Sequence, residues 1–347
     1  MPSPTFSPPK SILLLGAGEL GTAILTSLAA HPALLSTKVT LLLRPSSLAN
    51  PSRLASLRAL LPRARDPSTL SFAALDLSAP DAQADLSALI ASAPHDLVIS
   101  CTGMDASGTD AGRQLLIARA VLDAGAALAK ATRTAPSLRF FPWQFGLDYD
   151  AIPPHAASGL MREQQAVRAL LRAQSARAGV DWTIVSTGLF MSFLFEEAFG
   201  PLGDEGAAGV VVRALGGDWG KRLSVTDVRD IGAVVAEVVA APVAEGEGKR
   251  DDGGSVVFVA GETVTYGEVA EVVRRVVGRR RAIGMEEWGV EFLREELERE
   301  PESQMRKYRL LFAEGRGVSW DMAETINVKR GIETVGVERW LREKLSM

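Results

Sequence analysis

The residues whose spacing points most directly to chemistry are three glycines near the start of the chain, Gly16, Gly18 and Gly21. In the pattern Gly-x-Gly-x-x-Gly, the first glycine allows a tight turn and the second removes a Cβ that would block a pyrophosphate. The third lets a helix pack closely against the turn. The amides of this turn, which includes Glu19 and Leu20, can hold phosphate oxygens. The spacing predicts a dinucleotide site; the alternative is a tight turn that binds no ligand.

The segments on either side of the glycines are those that such a site requires. Residues Ser11 to Leu15 form an apolar run of strand length. From Leu20 to Ala30, apolar residues recur at helical spacing, and Pro32 ends the pattern. The chain therefore begins with a strand, a tight turn and a helix.

The second predicted strand, Lys38 to Leu43, is followed by a cation, Arg44. An acidic residue at this point commonly binds the ribose hydroxyls of NAD, whereas a cation can pair with the 2′-phosphate of NADP. Ser46, Ser47 and Arg53 follow within reach of the same phosphate. The pattern favours NADPH as the cofactor; the alternative for Arg44 is a solvent-exposed side chain after a strand.

Two further predicted strands end in residues that suit a cofactor cleft. Leu70 to Leu75 leads to Asp76, which we expect near the adenine. Asp96 to Ser100 leads to Cys101, Thr102 and Gly103, and small residues there permit close approach to a cofactor. We therefore expect Thr102 and Gly103 to contact the dinucleotide.

A fifth predicted strand, Leu138 to Phe141, continues into an aromatic loop that ends at Gly146. Ligands of doubly wound sheets bind outside the carboxyl ends of the strands. Trp143, Gln144 and Phe145 are therefore predicted to cover a nicotinamide ring, and Trp143 and Phe145 to line the pocket of a flat substrate. The alternative is an aromatic plug in the core.

Alternating strands and helices over these residues predict an α/β fold, a Rossmann doubly wound parallel sheet with a smaller, interleaved C-terminal substrate domain. A helix over Leu160 to Ala178 precedes a sixth strand, Asp181 to Ser186. We assign the NADP-binding Rossmann domain to residues 10–189, with 222–242 and 255–260 returning to it. Residues 190–347 form the smaller substrate-binding region.

The predicted substrate region contains an apolar segment and a helix start that can be recognised in the sequence. Leu189 to Gly200 is dense in Phe and Met, including Phe190 and Met191, and is either a pocket wall or plain core. Further along, Thr265 and Glu268 stand three residues apart, which predicts a capping box for a helix that ends at Val277.

Composition excludes several classes of protein. The chain has 347 residues, of which 47% are hydrophobic, as in an ordinary globular protein. Its formal net charge of −4 and the lack of any block of like charge longer than Arg279 to Arg281 argue against nucleic acid as the main partner. The single cysteine, Cys101, leaves no zinc cluster and suits a reducing compartment. No apolar run is long enough to span a bilayer. We expect a cytoplasmic protein with no metal and no membrane partner, and with a homodimer as a candidate assembly.

Taken together, these motifs resemble the isoflavone reductase-like and NmrA-like atypical short-chain dehydrogenases, and most closely the fungal isoflavone reductase family proteins. The resemblance covers about Lys10 to Leu345. It implies a Rossmann fold, NADPH, and reduction of phenolic or enone-like small molecules, with Arg44 and Arg53 at the 2′-phosphate. The motifs that carry it are Gly16 to Gly21, Arg44 with Asn50 to Arg53, Phe140 to Gly146, Val185 to Gly188, Val225 to Gly232, and Gly317 to Met322.

The resemblance also identifies a departure at the catalytic position. The plant reductases have a lysine on the helix after the aromatic loop, but this chain has no lysine between Lys130 and Lys221. Gln164 occupies that place, and we expect it to orient the substrate without titrating; the alternative is a structural bond to backbone. Helical spacing puts Gln164 on an inward face with Val167 and Leu171, and puts Gln165 with Arg168 and Arg172 on the solvated side. A proton would then come from water, His155 or Tyr149. The rival function is that of an NmrA-like NADP-binding redox sensor that acts through a protein partner.

Overall fold

The computed structural model describes residues 7–62, 65–93, 95–103, 112–131, 138–204, 209–278 and 281–345. The chain divides into two compact units. The first comprises residues 1–144, 166–185 and 231–257, and the second comprises residues 145–165, 186–230 and 258–347. The chain passes between the units several times, so neither of them is continuous in sequence.

The described residues form the following strands: β1 Ser11–Leu15, β2 Lys38–Leu43, β3 Leu70–Ala74, β4 Leu97–Ser100, β5 Leu138–Phe141, β6 Val180–Ser186, β7 Leu189–Phe190, β8 Leu202–Asp204, β9 Val210–Leu215, β10 Arg222–Thr226, β11 Lys249–Asp251, β12 Gly254–Phe258, β13 Glu262–Thr265 and β14 Ile283–Trp288.

The helices are α1 Glu19–Ala30, α2 Pro45–Leu48, α3 Pro51–Arg58, α4 Ala82–Ser92, α5 Arg113–Ala131, α6 Arg162–Ala178, α7 Met191–Leu194, α8 Val228–Ala240, α9 Tyr266–Val277, α10 Val290–Arg299, α11 Gln304–Glu314, α12 Ile326–Lys329 and α13 Val337–Lys344. Within the described ranges, no helix is both long and apolar enough to cross a membrane.

The first unit is built on a sheet in the order β11-β12-β6-β5-β4-β1-β2-β3. From β3 to β6 the neighbouring strands are parallel, with β1 in the middle between β2 and β4. Strand β1 is apolar almost throughout because both faces of a parallel sheet are covered, and Ile12 to Leu15 are fully buried. The predicted Rossmann-type parallel sheet is therefore confirmed, with β11 added as an antiparallel edge strand.

A buried arginine donates hydrogen bonds to the carboxyl end of α1 in the first unit. Arg65 is 3% exposed. Its Nε donates to the Thr69 hydroxyl at 2.9 Å, and its Nη1 donates to the Leu34 carbonyl at 3.0 Å and the Leu28 carbonyl at 3.2 Å. Its Nη2 donates to the Thr37 carbonyl. The guanidinium thus satisfies carbonyls that α1 and the turn after it leave without helical partners.

The second unit contains two smaller sheets. One has the order β13-β10-β7, and the other has the order β14-β9-β8. We expected Arg222–Thr226 to return to the main sheet, but it pairs antiparallel with β13 and parallel with β7 instead. Its buried residues, Leu223 and Val225, enter the apolar core of the second unit. The capping box predicted for α9 is confirmed, with the Thr265 hydroxyl and the Glu268 carboxylate each accepting the other's backbone N–H.

Two carboxylates at the start of α8 hold the C-terminal segment of the second unit. Asp230 Oδ2 accepts the Val335 N–H at 2.7 Å. Asp227 accepts from the Trp340 indole and, at 2.8 Å, from the Nε of Arg229. Burial raises the pKa of Asp230 to about 6, because its charged form is poorly solvated there.

Candidate functional site

Each of the three glycines has a distinct role in the turn between β1 and α1. Gly16 has a φ of +90°, and its N–H donates to the Leu42 carbonyl at 3.0 Å. A Cβ on Gly21 would lie 2.2 Å from the Gly16 carbonyl oxygen, so only glycine lets α1 approach the turn. Apart from Gly18 itself and its two neighbours in the chain, no described residue has an atom within 4 Å of a Cβ built on Gly18. The face of the turn at Gly18 is therefore open to a ligand, as the motif predicted.

A cleft of about 850 Å³ opens at the carboxyl ends of β1, β2, β3 and β4. It brings together many of the residues that the sequence singled out for the cofactor. Glu19 lies exposed beside the turn, whereas Leu20 and Gly21 are buried beneath it. The lining residues include Gly16, Gly18, Arg44, Ser46, Ser47, Arg53, Asp76, Thr102 and Gly103.

The cations of the cleft are arranged around its glycine turn. Arg53 donates from Nη2 to the Ala17 carbonyl, which joins α3 to the turn. Arg44 is exposed at the end of β2. Arg113, on the first turn of α5, also lines the cleft. Arg113 was not predicted from the sequence. The signal that could have identified it is topological, because a helix that follows β4 begins at this same edge of the sheet.

Asp76 supplies a negative charge among these cations. Its Oδ1 accepts from the hydroxyl of Ser78 and, at 2.9 Å, from the Ser78 N–H. These two bonds lower the pKa of Asp76, with smaller contributions from the charges of Arg44 and Arg113. The carboxylate is therefore ionised at neutral pH and is held close to the end of β3.

Thr102 and Gly103 line the cleft, and a different side chain contacts each of them. The buried Gln114 donates from Nε2 to the Thr102 carbonyl at 2.6 Å. On Gly103, a Cβ would lie 3.1 Å from Cζ2 of Trp143 and 3.2 Å from its Nε1. The indole of Trp143 therefore packs against Gly103, at the edge of the cleft.

Gln144 differs from the expectation for a cofactor contact. Its side chain is 0% exposed, and its Oε1 accepts from the Nε of Arg168 at 2.9 Å. Arg168, also 0% exposed, was expected on the solvated side of its helix. Helical periodicity missed it because its partner is 24 residues away in sequence.

The other predicted residues lie in the second unit. Phe145 and Tyr149 are each 5% exposed, and the Tyr149 hydroxyl packs against Gly146. Gln165, expected on the solvated side with Arg168, is half-buried. Its Nε2 donates to the Tyr149 carbonyl at 3.0 Å and the Ile152 carbonyl at 2.7 Å.

The remaining candidates for catalysis and substrate binding differ in exposure. His155 is exposed, just before two residues with left-handed backbone, Ala157 and Ser158. Gln164 and Phe190 are half-buried. Met191 is fully buried in the apolar core of the second unit, so of the two interpretations of its segment, core packing applies to this residue.

In the part of the chain that the structure describes, neither Cys101 nor a cluster of acidic side chains adds another kind of site. Burial raises the pKa of the Cys101 thiol, so the thiol is unreactive at neutral pH. Among the described residues, no group of three or more His, Cys, Asp or Glu side chains is placed to hold a metal ion.

The chain is similar in sequence to an oxidoreductase and similar in fold to solved reductase structures. An NmrA-like family domain-containing oxidoreductase of Gibberella moniliformis is 38% identical over 338 residues, which are 96% of this chain and 97% of that protein. No protein-family model matches the chain.

Two solved structures have a similar fold. The leucoanthocyanidin reductase–NADPH complex of Vitis vinifera has a TM-score of 0.70 at 18% identity, over 97% of this chain and 100% of that chain. An NADPH-dependent quinone oxidoreductase of Escherichia coli in complex with NADPH has a TM-score of 0.65 at 16% identity, over 96% of this chain and 99% of that chain. At these identities the likeness is one of fold.

Proposed function

The chain belongs to the NmrA-like family of oxidoreductases, and from this premise we propose that it is an NADPH-dependent reductase of a small aromatic, phenolic or conjugated carbonyl compound. The family membership confirms the resemblance seen in the motifs. One observation carries the proposal for the cofactor. The glycine turn and two arginines, Arg44 and Arg53, line a single cleft at the carboxyl ends of the parallel strands.

The residues of the cleft suit NADPH in size and in charge. The open face at Gly18 and the amides at the start of α1 would accept the pyrophosphate. Arg44 and Arg53 would flank the 2′-phosphate, and Asp76 would lie near the adenine. Thr102 and Gly103 would border the rest of the dinucleotide. When bound, NADPH supplies the hydride, while the protein positions the acceptor.

The substrate class follows from the aromatic residues after β5 and from the names of the structural relatives. Trp143 lies against Gly103 at the edge of the cleft and offers a flat face to a conjugated ring. Phe145 and Phe190 are the further candidates for contact with substrate. A leucoanthocyanidin reductase and an NADPH-dependent quinone oxidoreductase are among the proteins of similar fold.

The protein has to polarise the substrate oxygen without the lysine of the plant reductases. We assign this role to Gln164, whose amide can donate a hydrogen bond but cannot deliver a proton at neutral pH. The proton then comes from water, Tyr149 or His155. Tyr149 is buried and His155 is exposed, so Tyr149 suits a site from which water is excluded.

The test is an assay of NADPH oxidation with a panel of quinones, enones and isoflavonoids, together with calorimetric titration of NADPH. Binding with turnover of at least one member of the panel supports the reductase. The absence of a lysine from residues 131–220 favours a second candidate, a redox sensor of the NmrA-like type. NADPH binding without turnover, together with a protein partner whose affinity changes with NADPH, would replace the reductase by the sensor.

A further inference from the structure

The first unit contains a buried cation that the proposed reaction does not use. Arg168 lies on α6, and its side chain is 0% exposed. Removing a guanidinium from water is costly unless its donors are satisfied by well-placed acceptors. A buried, hydrogen-bonded polar group can fix a single arrangement of the groups around it.

The described acceptor of Arg168 belongs to the turn that presents Trp143. The Nε of Arg168 donates to Oε1 of Gln144 at 2.9 Å, and Gln144 is also 0% exposed. The Gln144 N–H donates to the Pro142 carbonyl at 2.8 Å, which closes a three-residue turn with Trp143 at its centre. A bond to the Gln144 side chain therefore fixes the residue next to Trp143.

The other end of this chain of contacts reaches the cleft. Within 3.2 Å of a Cβ built on Gly103 are Cζ2, Cε2 and Nε1 of the Trp143 indole, and Gly103 lines the cleft. We propose that Arg168 is a positioning residue: through the Gln144 carboxamide it fixes the turn at Trp143 and holds the indole against Gly103. The expected effect on turnover rests on the proposed function, in which the cleft binds NADPH beside this indole.

The experiment compares Arg168→Met, Arg168→Lys, Gln144→Met and Gln144→Glu in the full chain. The matched control is Arg65→Lys, because Arg65 is an equally buried arginine of the same unit that bonds to carbonyls at the end of α1. The first readout is ¹⁹F NMR of the ligand-free protein labelled with fluorotryptophan, in which the Trp143 signal is identified by its loss in Trp143→Phe. The second is turnover of NADPH with phenanthrenequinone as the probe.

We expect the Trp143 signal to shift and broaden in Arg168→Met and Gln144→Met, and turnover to fall about tenfold or more, since small displacements at a reacting centre are costly. The double variant Arg168→Met with Gln144→Met should lose no more turnover than the single variant with the larger loss, because both substitutions remove the same hydrogen bond. Gln144→Glu keeps an acceptor for Arg168 and should keep the signal. Arg65→Lys should lower the melting temperature and leave the signal unchanged.

An unchanged Trp143 signal in Gln144→Met and Arg168→Met would overturn the proposal, and so would an equal change in Arg65→Lys. If Arg168→Met does not fold, the comparison of Gln144→Met with Gln144→Glu still decides the question. A failure of the proposed function would be distinguishable from a failure of this proposal. In that case the wild-type protein would neither bind NADPH nor turn over the probe. The NMR readout does not depend on that result.

Discussion

Replacing Arg44 by alanine should weaken the binding of NADPH much more than the binding of NADH. Arg44 is exposed at the end of β2 and lines the cleft, where the 2′-phosphate is proposed to lie. NADH lacks this phosphate, so the guanidinium has little to contribute to its binding. Arg53 already donates to the Ala17 carbonyl, which leaves Arg44 as the more adaptable of the two cations.

The size of the expected loss in NADPH affinity follows from the exposure of the Arg44 side chain. A hydrogen bond to a charged group contributes about 1.5–3 kcal/mol, and solvent screening places an exposed pair near the lower limit. A loss of about 1.5 kcal/mol corresponds to a dissociation constant about tenfold higher for NADPH. For NADH we expect a change of less than about twofold, which is within what a distant surface substitution produces.

Calorimetric titration of both cofactors measures these constants, and Arg58→Ala is the matched control. Arg58 is an exposed arginine of α3 whose guanidinium lies 5.0 Å from the centre of the Phe72 ring, and it is not among the described residues that line the cleft. The reasoning is refuted if Arg44→Ala weakens NADH as much as NADPH, or if Arg58→Ala reproduces its effect.

Substitutions at three further residues test other parts of the structure. Gln164→Ala should lower turnover while NADPH affinity stays the same, and Gln164→Lys should make turnover dependent on pH; unchanged kinetics in both would remove Gln164 from the site. Arg65→Met should lower the free energy of unfolding by about 3–5 kcal/mol in urea, because buried carbonyls lose their donor; a loss below about 1 kcal/mol would contradict this. Asp230→Asn should stabilise the protein at pH 7 by about 1–3 kcal/mol. Since the folded carboxyl, with a pKa of about 6, keeps its proton longer than the unfolded one, the contribution of Asp230 to stability should fall as the pH rises from about 4 to 6. In urea titrations, the advantage of the variant over the wild type should therefore grow across this range.

The main sheet could be predicted from the sequence because its signals are local. Strands that are buried on both faces are mostly apolar, and the runs Lys38–Leu43 and Leu138–Phe141 begin and end in the structure where the sequence placed them. The glycine pattern adds a turn that few other residue types can form. Both signals depend only on neighbouring residues, so they do not require knowledge of the tertiary fold.

The partner of a strand is not a local property, and this explains the error at Arg222–Thr226. The apolar residues of this strand, Leu223 and Val225, would be buried equally well in the main sheet or in a small one. Its ladder is with Glu262–Thr265 and Leu189–Phe190, which lie far from it in sequence. Periodicity predicts that a strand has a buried face but not which strands lie beside it.

Charged and small residues are ambiguous for a related reason. Periodicity predicted that the Arg168 side chain faces solvent, because charged side chains are rarely buried. In the structure Arg168 is buried and donates to the Gln144 side chain, which offsets part of the cost of burying its charge. Gly103 was expected to make room for a cofactor, and the group that packs against it in the structure is the indole of Trp143. A glycine predicts that a flat group approaches the backbone closely, but the identity of that group depends on the tertiary fold. The contacts that distinguish one reductase of this fold from another are therefore the ones that local sequence patterns describe least well.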